Sequence, residues 1–456
     1  MNMKTVKISS LRERIRNTHP RTRKAQLNTA WGILIKGGGM LISLLLVPMT
    51  IDYLTKETYG TWLTISSVVT MLTFLDIGIG NGLRNKFSEA VTNQNVPLAR
   101  GYVSTAYALF SVIQFVFICF FLLAVLYVPW QRVFNTSIDS HLLKAVICVT
   151  VVAMAVKLVL DILSYVLFAL QESSWAGLIT FLSNALTLVG TYALTRFTTG
   201  NMLYLAMVTA ISPIIVLLLS GVMLYQYKFK EYRPSLQLVD FSHAKSLLSL
   251  GYKFFVIQLA VIVLFYTDNL IITQLFGPAE VTTYNVAFRY FNAINILFTI
   301  AIGPYWSAFT EAAAKNDITW MRQTYAYLQK LWLGLVGIVL LMIIVANPIY
   351  SLWIGDRVAV PNSLNVCMGL FVCISSWNGV SVAVVNGTSK VHLQLFYSIF
   401  SAIINVPLAI LFGRNLGLGS SGVILATAMS LLIGSVFGAL QARKLVAGTA
   451  TGLWNR

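Results

Sequence analysis

Twelve long apolar segments joined by short polar connections limit what this chain can fold into. Hydrophobic residues make up 57% of its 456 positions and charged residues only 10%, whereas a soluble domain carries roughly 25% charged residues. A helix that crosses a bilayer needs about 20 mostly apolar residues, and continuous runs of this length differ from the alternating ~10-residue segments of a membrane β-barrel. The sequence therefore predicts an all-α integral membrane protein. The predicted spans are 28–52, 59–80, 102–129, 143–169, 176–196, 202–226, 247–275, 282–306, 331–353, 363–386, 393–412 and 421–441.

Basic residues are unevenly distributed over the connections between these segments. The formal net charge is +17, and in a twelve-span topology 22 Lys and Arg residues fall on the side of the two termini and 6 on the other. Basic loops stay in the cytoplasm, so both termini are predicted to be cytoplasmic. The basic tail before the first segment is too long for a secretory signal peptide, and that segment is expected to remain as a span.

The short loops and the absence of catalytic and metal-binding motifs argue against nucleic-acid binding, catalysis and metal binding. Nucleic-acid binding is not expected, because the positive charges are dispersed over short loops and no soluble domain carries them. The loops are too short for a soluble catalytic domain, and the sequence has no paired-carboxylate or His-x-x-x-His motif. The four cysteines stand in apolar runs without a CxxC pair, which favours neither a disulfide framework nor a metal site. The sequence therefore predicts no enzyme, no metal centre and no bound cofactor.

The chain repeats itself at an offset of about 220 residues. Three similarities in corresponding spans indicate the duplication of a six-span unit. The two halves then run in the same direction and are related by a pseudo-two-fold axis along the membrane normal. The matching positions are Ile79-Gly80 and Phe87-Ser88-Glu89-Ala90 with Ile302-Gly303 and Phe309-Thr310-Glu311-Ala312, Lys36 with Lys253, and Asn184 with Asn405.

The repeat divides the chain into two halves, a linker and two tails. Two polar stretches, 81–100 and 311–330, mix charged and apolar residues, and each is expected to form a short amphipathic helix on the cytoplasmic surface. The predicted segments are a basic cytoplasmic tail at 1–25, an N-terminal six-helix half at 26–226, a cytoplasmic linker at 227–246, a C-terminal six-helix half at 247–441 and a cytoplasmic tail at 442–456.

Six charged residues stand inside otherwise apolar segments. A polytopic membrane protein keeps such charges only where they face a cavity, a partner or a cargo. Four of the six are cationic, which indicates a transporter for an anionic molecule. The residues are Lys36, Lys157, Asp161, Lys253, Asp268 and Arg289.

Lys36 and Lys253 occupy matching positions in the inner part of spans one and seven. A lysine is a mobile point charge that pairs with phosphate, so the two are candidates for binding a diphosphate. Snorkelling of the long side chains toward the inner interface explains the same positions equally well. Asp76 lies near the cytoplasmic end of span two, where its Gly-rich surroundings are more typical of helix-end packing than of cargo contact.

Two further pairs each combine a cation with an acid. Lys157 and Asp161 are four residues apart and share one face of span four, either as a self-neutralised pair or as cavity residues that meet cargo or protons. Asp268 precedes the turn near Pro278 and Arg289 follows it, so at 1.5 Å per residue both lie about 15 Å from the outer surface and are expected to meet. The candidates for ion coupling are Asp268, Asp161 and Asp76.

Three short motifs lie within this twelve-span pattern. They are Leu75-Asp76-Ile77-Gly78-Ile79-Gly80-Asn81-Gly82-Leu83-Arg84-Asn85-Lys86 followed by Phe87-Ser88-Glu89-Ala90, then Tyr266-Thr267-Asp268-Asn269, and then Asn386-Gly387-Thr388-Ser389-Lys390. With these motifs and two like-oriented halves, the chain resembles the O-antigen and polysaccharide flippases of the multidrug/oligosaccharidyl-lipid/polysaccharide exporter superfamily. The resemblance covers about residues 25–440.

The resemblance implies a MATE-like fold and a function without catalysis on the cargo. Members of that family move oligosaccharide linked to undecaprenyl diphosphate from the inner to the outer leaflet of the bacterial cytoplasmic membrane. The expected partners are this lipid-linked substrate, membrane lipids, a polysaccharide polymerase and a chain-length regulator, and no cofactor is expected. The residues expected to bind the diphosphate are Lys36, Lys253, Arg289 and Lys157.

Other membrane proteins share parts of this pattern. A cation-coupled multidrug antiporter is expected to place acids deep in its N-terminal half, whereas span one has Lys36 there and its only acid, Asp52, at the outer end. A peptidoglycan-precursor flippase has similar chemistry but is usually longer, with additional spans. A polymerase would need a long outer loop, and a glycosyltransferase would need an acidic site on a cytoplasmic domain; the sequence provides neither.

Overall fold

A computed structural model describes residues 20–72, 79–170, 172–244, 266–388 and 390–455; within these ranges, the side chains of residues 20–34, of residue 36 and of a few other helix positions lie outside the description. The described residues form helices and turns and contain no strand. Fifteen of these helices have eight or more residues. They are α1 Pro20–Tyr53, α2 Lys56–Leu72, α3 Ile79–Thr92, α4 Val96–Tyr127, α5 Ser140–Leu160, α6 Ile162–Ala169, α7 Ser173–Phe197, α8 Met202–Met223, α9 Asp268–Phe276, α10 Pro278–Ala314, α11 Ile318–Ile344, α12 Ala346–Ile354, α13 Asn362–Gly387, α14 His392–Ile410 and α15 Gly419–Ala447.

Nine helical segments among the described residues are long and apolar enough to cross a membrane. They overlap nine of the twelve predicted spans, and the all-α membrane fold is confirmed. The helix of the ninth span, Ile318–Ile344, begins 13 residues and ends 9 residues before the predicted 331–353. The other three predicted spans lie in α1, whose apolar part is Gly37–Tyr53, in α2 and the segment that follows it, and in 247–275, of which only the last ten residues are described. The total of twelve membrane spans stays a prediction, and the positions of the described helices agree with it.

Small residues allow the helices of the second half to pack closely. Along α15, every fourth residue from 422 to 438 is Gly, Ala or Ser, and all five are buried. A Cβ added at Gly434 would lie 2.9 Å from the ring of Tyr397, and one at Gly422 would lie 2.5 Å from the backbone of Phe412. In lipid there is no hydrophobic driving force between helices, so van der Waals packing along such a stripe of small residues is needed to hold them together. Here it holds α15 against α13 and α14.

Two helix–helix turns of the same design stand at matching places in the two halves. Between α3 and α4, Gln94 has a positive φ of 56°, and the Asn95 side chain caps α4 by accepting a hydrogen bond from the Leu98 N–H at 3.1 Å. Between α10 and α11, Asn316 has a φ of 54°, and Asp317 caps α11 by accepting from the Trp320 N–H at 3.0 Å. Gln94 and Asn316 are separated by the same offset as the sequence repeat. The division into two six-helix halves stays a prediction.

The two polar stretches pack against other helices of the protein. In 81–100, helix α3 buries Leu83 and Phe87 completely against neighbouring helices of its own half. In 311–330, the chain forms the end of α10, a tight turn and the start of α11, where Met321 and Leu328 are buried. The first stretch therefore contains a short helix as expected, but its apolar face meets protein. The expectation of a separate short helix is wrong for 311–330, where the chain forms a helix–turn–helix junction.

The orientation of the chain is tested with single cysteines in a background in which the four native cysteines are replaced. Ser137 is exposed in the connection before α5, and Leu236 is 90% exposed in the linker. Because basic connections face the cytoplasm, Ser137→Cys is expected to react with an impermeant maleimide in intact spheroplasts, and Leu236→Cys only after lysis. The reverse labelling pattern would overturn the predicted topology.

Candidate functional site

Polar contacts between the two halves are concentrated at one end. Hydrogen bonds and an ion pair that join residues 20–226 to residues 266–455 lie at the end opposite the basic connections, and the bond from Arg289 to Ser43 lies deeper. We call this region the closed end. It comprises α2, the second half of α1 and the turn 130–136 from the first half, with α9, the start of α10 and the turn 353–357 from the second.

Short polar side chains form the direct links across the closed end. The hydroxyls of Thr64 and Thr273 lie 2.6 Å apart, and Asn269 Nδ2 donates to Ser67 Oγ at 2.6 Å. Both hydroxyls on α2 also donate to carbonyls of their own helix, four residues earlier, at 3.0 Å. Further links run from Asn135 Nδ2 to the Thr273 carbonyl at 3.0 Å and from Thr282 Oγ1 to the Lys56 carbonyl at 2.8 Å.

Gly60 on α2 sets the distance between the halves at this end. A Cβ added to it would lie 1.7 Å from the carbonyl oxygen of Pro278 and 3.1 Å from Thr282 Oγ1. The obstacle is backbone at the first residue of α10, which cannot rotate away as a flexible side chain would. Glycine therefore permits the close approach of α2 to the start of α10.

An exposed ion pair lies at the outer margin of the closed end. Arg357, in the turn after α12, forms a two-point hydrogen-bonded pair with Asp52 near the end of α1, with Nη2 to Oδ2 at 2.8 Å. Nearby, Trp353 Nε1 donates to the Leu44 carbonyl at 2.9 Å. Exposed pairs contribute little to stability, about 0–1 kcal/mol, so this contact fixes the position of the turn more than it stabilises the fold.

Arg289 lies deeper in the boundary between the halves. Its Nη1 donates to both the carbonyl oxygen and the Oγ of Ser43 on α1, each at 3.0 Å. No described carboxylate forms an ion pair with it. A guanidinium has five N–H donors in a fixed fork, so two bonds to one serine leave donors for an anionic ligand.

The predicted pairing of Asp268 with Arg289 is wrong. Asp268 is 4% exposed, and its Oδ2 accepts a hydrogen bond from the Tyr284 hydroxyl at 2.7 Å. Tyr284 and Arg289 are five residues apart on α10, which corresponds to about 140° around the helix. The two side chains therefore leave α10 on different faces, one toward α9 and the other toward α1.

Asp268 belongs to a buried network of oxygen atoms inside the second half. Thr427 Oγ1 on α15 lies 3.2 Å from Asp268 Oδ1 and accepts from Asn405 Nδ2 at 3.1 Å. Thr427 is 1% exposed and Asn405 is fully buried. The Asn405 Oδ1 has no hydrogen-bond partner among the described residues. We call Asp268, Tyr284, Asn405 and Thr427 the acid network.

The acid network contains a carboxylate but, within the described ranges, no cation paired with it. Burying an unpaired ionised carboxylate is costly, so the group needs a bound proton or a small cation. Carboxylate, amide and hydroxyl oxygens are suitable ligands for a hard cation. A cluster of three or more His, Cys, Asp or Glu residues, as a transition metal would need, does not occur among the described residues.

Lys157 and Asp161 do not neutralise each other. Asp161 ends α5, and its Oδ1 accepts a hydrogen bond from Ser164 Oγ at 2.6 Å, so the acid turns toward α6. The structure gives no ion pair between Asp161 and Lys157. The Asp161 N–H still donates to the Lys157 carbonyl at 2.8 Å, so the two residues stay one turn apart, but the acid bonds to Ser164 instead of to the lysine.

Three of the predicted site residues lie wholly or partly outside the part of the chain that the structure describes. The backbone of Lys36 lies in α1, but its side chain lies outside the description, and Lys253 and Asp76 lie outside the described residues altogether. Their roles stay predictions.

Tyr284 and Thr427 were not predicted as site residues from the sequence. Each is a polar residue in an apolar span, which could have marked it as a candidate. Many such residues, however, only form a hydrogen bond within their own helix, as Thr150 does.

The model of a family described as polysaccharide biosynthesis protein matches residues 26–310. A protein of Salmonella typhimurium (strain LT2), described as a "Putative O-antigen transporter", is 23% identical over 209 residues, which are 45% of this chain and 47% of the relative. The chain therefore spans about half the length of this curated relative.

Solved structures with a similar fold are transporters. An inward-facing multidrug resistance MATE family transporter of the MOP superfamily superimposes with a TM-score of 0.77 at 15% identity, over 90% of this chain and 96% of the other. An outward-facing structure of such a transporter gives 0.65 at 15% identity, over 92% and 96%. A MOP superfamily transporter from Pyrococcus furiosus, described as having a binding pocket of reverse polarity, gives 0.63 at 14% identity, over 93% and 96%. These likenesses establish the fold.

Proposed function

This chain belongs to the polysaccharide biosynthesis protein family, and on that premise we propose that it is a flippase for lipid-linked oligosaccharide. It moves a surface-polysaccharide repeat unit on undecaprenyl diphosphate, such as that of O-antigen, from the inner to the outer leaflet of the bacterial inner membrane. Family and fold together point to a transporter and not to an enzyme. A polysaccharide polymerase and a chain-length regulator are the protein partners that this activity calls for.

Arg289 is the observation that carries the proposal. A diphosphate that crosses a bilayer needs a cationic and hydrated path, because a charge in hydrocarbon costs at least about 3 kcal/mol. The guanidinium of Arg289 lies between the halves, bonded only to Ser43 among the described residues. Its planar fork matches the geometry of phosphate oxygens. Lys36 and Lys253 would receive the diphosphate nearer the cytoplasm, and Lys157 is a further candidate on the path.

The closed end supports alternating access. The described contacts between the halves lie opposite the basic connections, so a cargo from the cytoplasmic leaflet would enter between the halves at their basic ends. Opening of the closed end, with closure of the basic end, would then release the cargo on the other side. The glycan would follow this path while the polyprenyl chain stays in lipid.

The acid network is the best candidate for ion coupling. Asp268 is buried without a paired cation among the described residues, so proton or cation binding would change the charge at the packing of α9 and α10 on α15. Of the other acids, Asp161 is bonded to Ser164 at a helix end, which makes it the less suitable. A cation-coupled drug antiporter would also use such a group, and the transport assay separates the two functions.

Neutralising the cations is expected to lower flipping without lowering protein yield. Loss of a charge-assisted hydrogen bond costs about 1.5–3 kcal/mol, so Arg289→Gln, Lys36→Gln and Lys253→Gln should each reduce flipping about tenfold or more, and the double lysine change should be more severe. The corresponding Arg289→Lys and Lys→Arg variants should retain more activity. Flipping is measured with undecaprenyl-diphosphate-linked oligosaccharide in proteoliposomes.

Arg414 provides a matched control, since it is an exposed arginine in the turn that follows α14 and its side chain forms no described hydrogen bond or ion pair to the first half. Arg414→Gln should flip cargo normally. In cells, deletion of the gene should cause lipid-linked oligosaccharide to accumulate in the cytoplasmic leaflet. Normal surface polysaccharide combined with lost drug resistance would instead assign the antiporter function, and full flipping by the double lysine variant would leave snorkelling as the role of Lys36 and Lys253.

A further inference from the structure

Two grooves open on the lipid-facing sides of the protein, one in each half. The first lies between α4, α5 and α8 and has a volume of about 240 Å³. Its walls include Leu218 and Val222 of α8, and Arg233 of the linker lies at its mouth. The second lies on α15 beside Trp377 of α13, also has a volume of about 240 Å³, and has Arg443 at its mouth. Neither groove belongs to the boundary between the halves.

The two grooves are built from equivalent positions of the sequence repeat. On α8 the lining residues include 217, 218, 221 and 222, and on α15 they include 435, 436, 439 and 440. Each position of the second set is 218 residues after its partner, which agrees with the repeat offset of about 220. The same spans of both halves, the sixth and the twelfth, therefore carry a groove at the same distance from their basic ends.

The walls of both grooves face lipid. Leu218 is 47% exposed and Val222 is 55% exposed, and in the second groove Val436 is 49% exposed and Leu440 is 42% exposed. The helices that carry them are apolar enough to span the membrane, so these surfaces meet acyl chains. At Gly221, on the floor of the first groove, an added Cβ would lie 3.9 Å from Leu163, an ordinary van der Waals contact, so the position accepts a side chain.

Each groove ends at an arginine that has no acidic partner in the described parts of the chain. Arg233 is held in place through its carbonyl oxygen, which accepts a hydrogen bond from Arg100 Nε at 2.7 Å. Arg443 stands in the last turns of α15, beside Lys444. A basic residue where an apolar groove meets the cytoplasmic interface is the arrangement that recognises an anionic lipid head group.

We propose that each groove binds an anionic glycerophospholipid of the inner leaflet, with one acyl chain along the apolar wall and the phosphate at Arg233 or Arg443. The occupant is a resident membrane lipid and not the cargo, because both grooves lie away from Arg289 and the closed end. Two equivalent sites on the outside of the halves would fasten the basic ends of both halves to the inner leaflet while the halves move against each other.

The test is native mass spectrometry of the full-length protein, exchanged into detergent with an equimolar mixture of phosphatidylglycerol and phosphatidylcholine. The unaltered protein is expected to retain up to two phosphatidylglycerol molecules in preference to phosphatidylcholine. Arg233→Gln and Arg443→Gln should each lower the affinity of one site about tenfold, because a charge-assisted hydrogen bond to phosphate is lost, and the double variant should show no preference. Arg414→Gln, at the other end of the molecule, should bind as the unaltered protein does.

Filling the first groove gives an independent measurement. Gly221→Leu should remove one bound lipid irrespective of its head group, while Arg233→Gln changes only the preference. Equal retention of phosphatidylglycerol by the unaltered protein and the double arginine variant would overturn the proposal. With undecaprenyl diphosphate added to the same mixture, loss of that lipid instead of phosphatidylglycerol in these variants would also overturn the proposal, since the grooves would then belong to the cargo. Neither result depends on whether the protein flips oligosaccharide.

Discussion

Replacing Gly60 by alanine is expected to hold the closed end apart and to shift the protein toward the state that opens there. The added Cβ would overlap the Pro278 carbonyl oxygen, 1.7 Å away, so α2 and the start of α10 must separate. Overpacking of this kind costs about 1–3 kcal/mol, which is about 5- to 150-fold in the equilibrium between the two states. A cysteine at Ser67 in the same region reports the change as faster labelling by an impermeant reagent from outside.

Gly303→Ala is the matched control for this substitution, because an added Cβ there meets no atom within 4 Å. It makes the same chemical change inside a helix and should leave the labelling of Ser67→Cys unaltered. If Gly60→Ala leaves both the labelling rate and the flipping rate at their original values, the closed end does not control access. Lower protein yield with unchanged labelling of the folded fraction would also contradict the expectation.

Replacing Asp268 is expected to uncouple transport from its driving ion. Asp268→Asn preserves the shape of the side chain, and its Oδ1 can still accept the hydrogen bond from Tyr284, but it removes the ionisable group and one of the two acceptor oxygens. Gradient-driven flipping in proteoliposomes should fall about 5- to 150-fold, the range of a typical coupling free energy. Exchange of cargo at equilibrium should be reduced less, because it does not need the ion.

Asp268→Ala should in addition lower stability. It leaves the buried hydroxyls of Tyr284 and Thr427 without the carboxylate, and an unsatisfied buried group costs about 1–3 kcal/mol. Glu231→Gln, an exposed acid of the linker, should change neither the driven rate nor the melting temperature. Retention of full gradient dependence by Asp268→Asn would remove the acid network from the coupling mechanism.

The spans could be predicted from the sequence because a single physical requirement, about 20 apolar residues per crossing, is visible in composition alone. Nine of the predicted spans correspond to helices long and apolar enough to cross. The turns at Gln94 and Asn316 also follow a local pattern, since a polar residue at positive φ precedes a capping Asn or Asp in both. Local chemistry of this kind can be read without knowledge of the neighbours.

The partners of the intramembrane charges could not be predicted in the same way. Depth along a helix follows from counting residues, but direction around it depends on which helix packs on which face. Asp268 and Arg289 have similar depths, yet about 140° of rotation between Tyr284 and Arg289 directs the arginine to Ser43. Gly60 illustrates the same limit, because its role depends on Pro278, which is 218 residues away in the sequence.

The hydroxyls of Thr64 and Ser67 each make one hydrogen bond inside α2 and one to the second half, which has a consequence for biogenesis. Thr64 and Ser67 are bonded to partners 209 and 202 residues later in the chain, which are synthesised long after α2 has entered the membrane. An unsatisfied polar group in hydrocarbon costs several kcal/mol, yet each hydroxyl already donates to the carbonyl four residues before it. The hydroxyl donors of Thr64 and Ser67 are therefore satisfied within α2 before the second half is made, and the same local bonds remain each time the two halves part.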